Sequence, residues 1–147
     1  MDVLVCLKRV PLAGGTLILT PDSRDIETKH LGFGISPHEE NAVEAGVQLV
    51  EQMGGTLTLL TLGPSDAEEQ LRSQLAIGAT RAVLIETDGQ EWDPQGTAAA
   101  LVDAINAEET KFDLIILAQN LLIVLDIKSI FVWPMHSIAR LSPTLNQ

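Results

Sequence analysis

At 147 residues, with 46% hydrophobic residues and a mean hydropathy of +0.21, the chain is long enough to bury one sizeable core and reads as a globular domain. The 20 Asp and Glu against 9 Lys and Arg give a formal net charge of −11, which repels polyanions and argues against nucleic acid as a partner. The one cysteine, Cys6, excludes an internal disulfide, and Cys6, His30, His38 and His136 do not fall at metal-ligand spacing. No metal is expected, and the cytoplasm is the expected compartment.

Val3-Leu4-Val5-Cys6-Leu7 is a continuous apolar run closed by Lys8-Arg9 and Pro11. Such a run predicts a strand buried on both faces of a parallel sheet. It is too short for a secretory segment and follows Asp2 rather than a basic stretch, so no signal peptide is expected. Gly14-Gly15 and Pro21-Asp22-Ser23 bracket residues 16–20, which predicts a short hairpin or excursion before the first long helix. Asp22, Asp25 and Glu27 lack the Gly and terminal Glu of a calcium loop and read as solvated charge.

The next segment carries the strongest local signal. Ser36 suits an N-cap, Pro37 suits the first helical position, and Glu39 completes the Ser-x-x-Glu capping-box spacing. The N–H groups at a helix start favour an anion such as phosphate, so this start is a candidate wall of a nucleotide site. Capping boxes also open many ordinary helices, and His38, with no catalytic partner in view, reads on its own as an exposed first-turn residue.

Val43, Val47, Val50 and Met53 then recur at helical spacing as far as Gly54-Gly55. Residues 56–62 predict a strand closed by Gly63-Pro64-Ser65, and residues 66–77 a helix ending at Gly78. A strand over 82–85, a loop over 87–94, a helix over 95–107 with Leu101, Val102 and Ile105 on one side, and a strand over 112–117 complete the pattern. Strands alternating with helices predict a doubly wound α/β fold, in which ligands sit at the carboxyl ends of the strands. Cys6, Leu62 and Ala118 stand at three of those ends.

Several phrases, taken in order, resemble the beta subunit of electron transfer flavoproteins over residues 1 to about 120. They are Val5-Cys6-Leu7-Lys8-Arg9-Val10-Pro11, Ser36-Pro37-His38-Glu39-Glu40-Asn41-Ala42-Val43-Glu44, Leu62-Gly63-Pro64, Leu75-Ala76-Ile77-Gly78-Ala79-Thr80-Arg81-Ala82 and Asp113-Leu114-Ile115-Ile116-Leu117. The resemblance implies a Rossmann-like, mainly parallel sheet of the adenine-nucleotide-binding superfamily. It implies AMP or FAD as cofactor, with FAD held mainly by a partner alpha subunit. The heterodimer would carry electrons from dehydrogenases to an acceptor, with no substrate chemistry of its own. Carried over residue by residue, the nucleotide contacts fall at Cys6, Ser36, Pro37, His38, Glu39, Leu62, Ala118, Gln119 and Asn120.

The resemblance stops after the fourth main strand. Family members continue with an acidic, Gly-containing phosphate loop, a helix, a strand and an arm around the alpha subunit, whereas residues 121–147 read otherwise. A family helix of the type I-R-V-A-H-A-L-D-R, encoded ATT CGT GTG GCC CAT GCA CTC GAT CGC, becomes TTC GTG TGG CCC ATG CAC TCG ATC when read one base later. That string spells Phe131-Val132-Trp133-Pro134-Met135-His136-Ser137-Ile138. The expectation is a nucleotide-binding domain over 1–120 and a frameshift-derived tail over 121–147, with heterodimer formation impaired. Asp126 and Lys128 interrupt the apolar tail, so membrane insertion is not expected.

Two other classes compete. A stand-alone adenine-nucleotide-binding module of the stress-protein type would bind ATP without a flavin partner, but its Gly-rich phosphate loop is missing. An ATP-dependent ligase would carry a Ser-Gly-Gly-type loop after the first strand, where Lys8-Arg9-Val10-Pro11 stands instead.

Overall fold

The apolar runs that lack period-two alternation become the centre of a parallel sheet. A computed structural model describes residues 1–12, 18–24, 26, 27, 31–90, 92–117 and 122–124, the last three by backbone alone. β1 (Asp2–Leu7), β4 (Thr56–Gly63), β5 (Arg81–Glu86) and β6 (Leu114–Leu117) run parallel in the order β5-β4-β1-β6. β1 lies in the middle with both faces covered, which is why Val3, Leu4 and Val5 are all but sealed from solvent.

Side chains alternate across the sheet and define two cores. On one face Val3, Val5, Leu57, Leu59, Leu114 and Ile116 meet Ala42, Val43 and Val47 of α1 (Pro37–Met53) and Leu71 of α2 (Glu68–Leu75). On the other, Leu4, Cys6, Leu60 and Ile115 meet Ile105, Leu101 and Ala104 of α3 (Pro94–Ala107), together with Phe112. Helices on both faces make the sheet doubly wound, as the alternation of elements predicts. Each fully buried Val, Leu or Ile contributes about 1.5–3 kcal/mol.

Local chemistry sets the element ends. Ser36 and Asp93 cap α1 and α3, and Pro37 and Pro94 occupy the first helical positions. Gly54, with φ 72°, ends α1 and returns its N–H to the Val50 carbonyl. At the amino ends of the strands, the Asp2 N–H donates to the Asp113 carboxylate at 2.8 Å and the Thr56 hydroxyl donates to the Asp2 carboxylate at 2.6 Å. These bonds hold β1, β4 and β6 in register.

Two elements differ from their sequence expectation. Residues 66–77 predict one helix, but a 3-10 turn (Ser65–Ala67) precedes a shorter α2, which ends at Leu75. Pro64 is extended and no side chain caps the turn, so its first turn tightens. The sheet also continues past the fourth main strand: β7 (Leu122–Val124) pairs antiparallel with β6, Leu117 opposite Leu122. That pairing satisfies one edge of β6.

The expected excursion between β1 and α1 is present in part. β2 (Val10–Pro11) pairs antiparallel with β3 (Phe33–Gly34), and Leu19 bridges Ile26. Among the described residues no helix is long and apolar enough to cross a membrane, and no group of three or more His, Cys, Asp or Glu is placed to hold a metal.

Candidate functional site

The parallel register brings the carboxyl ends of the strands to one rim. Cys6 lies level with Leu60 on one side and Leu117 on the other. β4 runs further, placing Leu62 opposite Ile85. Cys6, Leu62 and Leu117 therefore lie toward the same end of the sheet, where α1 begins. Ala118, Gln119 and Asn120 lie outside the described residues.

At the start of α1 both halves of the capping box form. The Glu39 N–H reaches the Ser36 hydroxyl at 3.4 Å, and the Ser36 N–H donates to Glu39 Oε2 at 2.8 Å. Glu39 does more than close this box. Its Oε1 accepts from the Lys8 N–H at 2.5 Å, across 31 residues, so one carboxylate joins the end of β1 to the start of α1. The residue is only 5% exposed and both oxygens are occupied within the chain.

This geometry alters one expectation. A bare helix start invites phosphate, but here a carboxylate of the same helix already supplies the negative charge that complements the helix dipole. A second anion about 4 Å away would be repelled by about 4 kcal/mol at an effective dielectric near 20. Pro37 and His38 point to the exposed side of the same turn, while Ser36 is partly buried.

Cys6 is buried, and burial pushes its thiol up to about 12. It is a neutral thiol at physiological pH and behaves as a small apolar residue, as its strand-end position predicts.

A second cluster was not readable from sequence. The Arg9 guanidinium stacks 3.8 Å from the Phe33 ring centroid, and Gln70 of α2 donates to the Phe33 carbonyl at 3.3 Å. Phe33 thus joins the end of β1 to α2. Arg9 Nε, Gln70 Oε1 and Gln74 Oε1 are buried and find no hydrogen-bond partner among the described residues. The isolated aromatic of Gly32-Phe33-Gly34 was the available signal, but no spacing connects it to Arg9 or Gln70. The small void of about 10 Å³ under α3, lined by Leu4, Leu60, Val83 and Phe112 among others, belongs to core packing.

Comparison with known proteins accords with this architecture. The family model "Electron transfer flavoprotein domain" matches residues 25–124, from the excursion through β7. The chain is 38% identical over 116 residues to "Electron transfer flavoprotein subunit beta" of Bacillus subtilis (strain 168), covering 79% of this chain and 44% of that protein. It is 39% identical over 85 residues to "Protein FixA" of Azorhizobium caulinodans, covering 58% of this chain and 30% of that protein. It is also 35% identical over 85 residues to "Acryloyl-CoA reductase electron transfer subunit gamma" of Anaerotignum propionicum, covering 58% of this chain and 32% of that protein. The chain spans less than half the length of these curated relatives. With an α/β sheet wound on both faces, and a family match over residues 25–124 that takes in the capped start of α1, the chain belongs to the electron transfer flavoprotein family and is similar to its beta subunits.

Proposed function

We propose that this chain is the nucleotide-binding, partner-docking part of a two-subunit electron carrier, binding AMP or FAD at the rim formed by Cys6, Leu62 and the start of α1. The observation that carries the reading is the convergence of three parallel strand ends on the Ser36-capped helix, the usual ligand position in a doubly wound sheet. Ser36, Pro37, His38 and Glu39 form one wall, and Ala118, Gln119 and Asn120 would form the neighbouring one.

The residues present fit the adenosine part of such a ligand. Backbone groups after β1 and β4 offer donors and acceptors to a planar base, which explains why the apolar Leu62 and the buried, neutral Cys6 suit these positions. A bound flavin would supply the electron-accepting chemistry. The contribution of this chain is to hold the adenine nucleotide and to present its surface to an alpha subunit, which holds most of the FAD. Dehydrogenases would be the electron donors.

Calorimetric titration of the purified chain with AMP, FAD and ATP, together with co-purification with a flavin-bearing alpha subunit, tests the reading. The expected result is binding of AMP or FAD, with association to the partner weakened relative to a full-length beta subunit. ATP binding by the lone chain, with no affinity for AMP and no association with an alpha subunit, would instead favour a stand-alone nucleotide module.

A further inference from the structure

Glu39 is the one described carboxylate that is both nearly sealed from solvent and bonded across the rim. Its two acceptor oxygens take the N–H groups of Lys8 and Ser36, which belong to the two segments that flank the strand ends. Removing either bond frees the distance between the end of β1 and the first turn of α1. The carboxylate also fills the negatively charged place at a helix start that a phosphate would otherwise take.

We propose that Glu39 is a positioning residue and charge filter of the rim: its buried carboxylate latches the Lys8 and Ser36 N–H groups together, so that this wall receives the uncharged base or ribose of a nucleotide and turns phosphate away. The ligand part of this inference rests on the nucleotide reading above. The latch and the exclusion of phosphate do not, because they follow from the hydrogen bonds and charge already within the chain. Glu40, the next residue, is exposed and serves as the matched control.

Glu39→Gln keeps the shape of the side chain, but its amide NH2 must meet one of the two N–H donors, so one bond is lost and the charge is removed. Glu39→Asp keeps the charge on a shorter stem that cannot span both N–H groups. Backbone amide spectra of the wild type, both variants and Glu40→Gln are compared during titration with inorganic phosphate and, separately, with adenosine. Hydrogen exchange of the Lys8 and Ser36 amides is followed in parallel.

In the wild type, phosphate is expected to leave the Lys8, Ser36 and His38 amides unmoved while adenosine shifts them. In Glu39→Gln, exchange at Lys8 or Ser36, whichever amide faces the NH2, should rise about tenfold or more and adenosine affinity should fall by a similar factor, the usual scale of a lost hydrogen bond to a charged group. Phosphate should now shift the His38 amide. Glu39→Asp should weaken adenosine binding without admitting phosphate, and Glu40→Gln should match the wild type. Phosphate shifting these amides in the wild type would overturn the proposal, as would unchanged exchange at both Lys8 and Ser36 in Glu39→Gln. Failure of the wild type to bind adenosine, AMP or FAD would sink the nucleotide reading and the ligand part, while the phosphate and exchange measurements would still decide the latch.

Discussion

Glu39 shows how much one side chain can settle at the residue scale. The Ser36-x-x-Glu39 spacing announced the capping box, but the bond to Lys8 N–H depends on where β1 ends in three dimensions and has no local signature. Truncation should therefore cost more than a lost cap, because two partly buried N–H groups lose their acceptor. Glu39→Ala is expected to destabilise the fold by about 2–4 kcal/mol, against less than about 0.5 kcal/mol for Glu40→Ala, in urea unfolding followed by circular dichroism. Equal effects at the two positions would contradict the burial argument. Cys6 gives the second residue-scale prediction. Its folded-state thiol is raised from 9.0 to about 12 by burial, so as pH climbs the unfolded chain ionises first. Stability is fully retained below pH 9 and declines between about 9 and about 12. Cys6→Ala should flatten that alkaline decline, and the native thiol should resist a disulfide reagent until the protein unfolds.

At the scale of elements, helix boundaries were legible wherever a side chain or glycine enforces them. Ser36, Pro37 and Gly54 fix α1, and Asp93 with Pro94 fixes the start of α3. α2 was misjudged because Leu75, Ala76 and Ile77 extend an apolar pattern that the backbone converts into a turn before Gly78. Close packing of α1 onto the sheet depends on Gly46, where an added Cβ would meet Leu57 Cδ1 at 2.9 Å and Val5 Cγ2 at 3.2 Å. Leu57 and Val5 are wholly buried and have little room to yield. Gly46→Ala gains helix propensity but crowds the core, and the net effect should be a destabilisation of about 1–2 kcal/mol in denaturant unfolding. A stabilised Gly46→Ala variant would show that the helix can lift without cost.

At the scale of the whole molecule, the alternating apolar runs and amphipathic helices were enough to predict the doubly wound sheet and the rim at its strand ends. The Arg9, Phe33 and Gln70 cluster was not legible, since Gln70 and Phe33 lie 37 residues apart and meet only after folding. β7 was missed because its apolar residues follow β6 without a helix, against the repeating rhythm. For residues 121–147 we propose a frameshifted origin. Genomic sequencing across codons 115–147 should reveal family-like sequence in another frame, and no family-like sequence in either alternative frame would contradict that origin. The central claim, that the strand-end rim beside α1 holds an adenine nucleotide, is tested most directly by titrating AMP into the isotope-labelled chain and mapping amide shifts. The account predicts saturable shifts concentrated at Cys6 to Lys8, Ser36 to Glu39 and Leu62 to Gly63. An absence of shifts, or shifts confined to surfaces away from these strand ends, would contradict it.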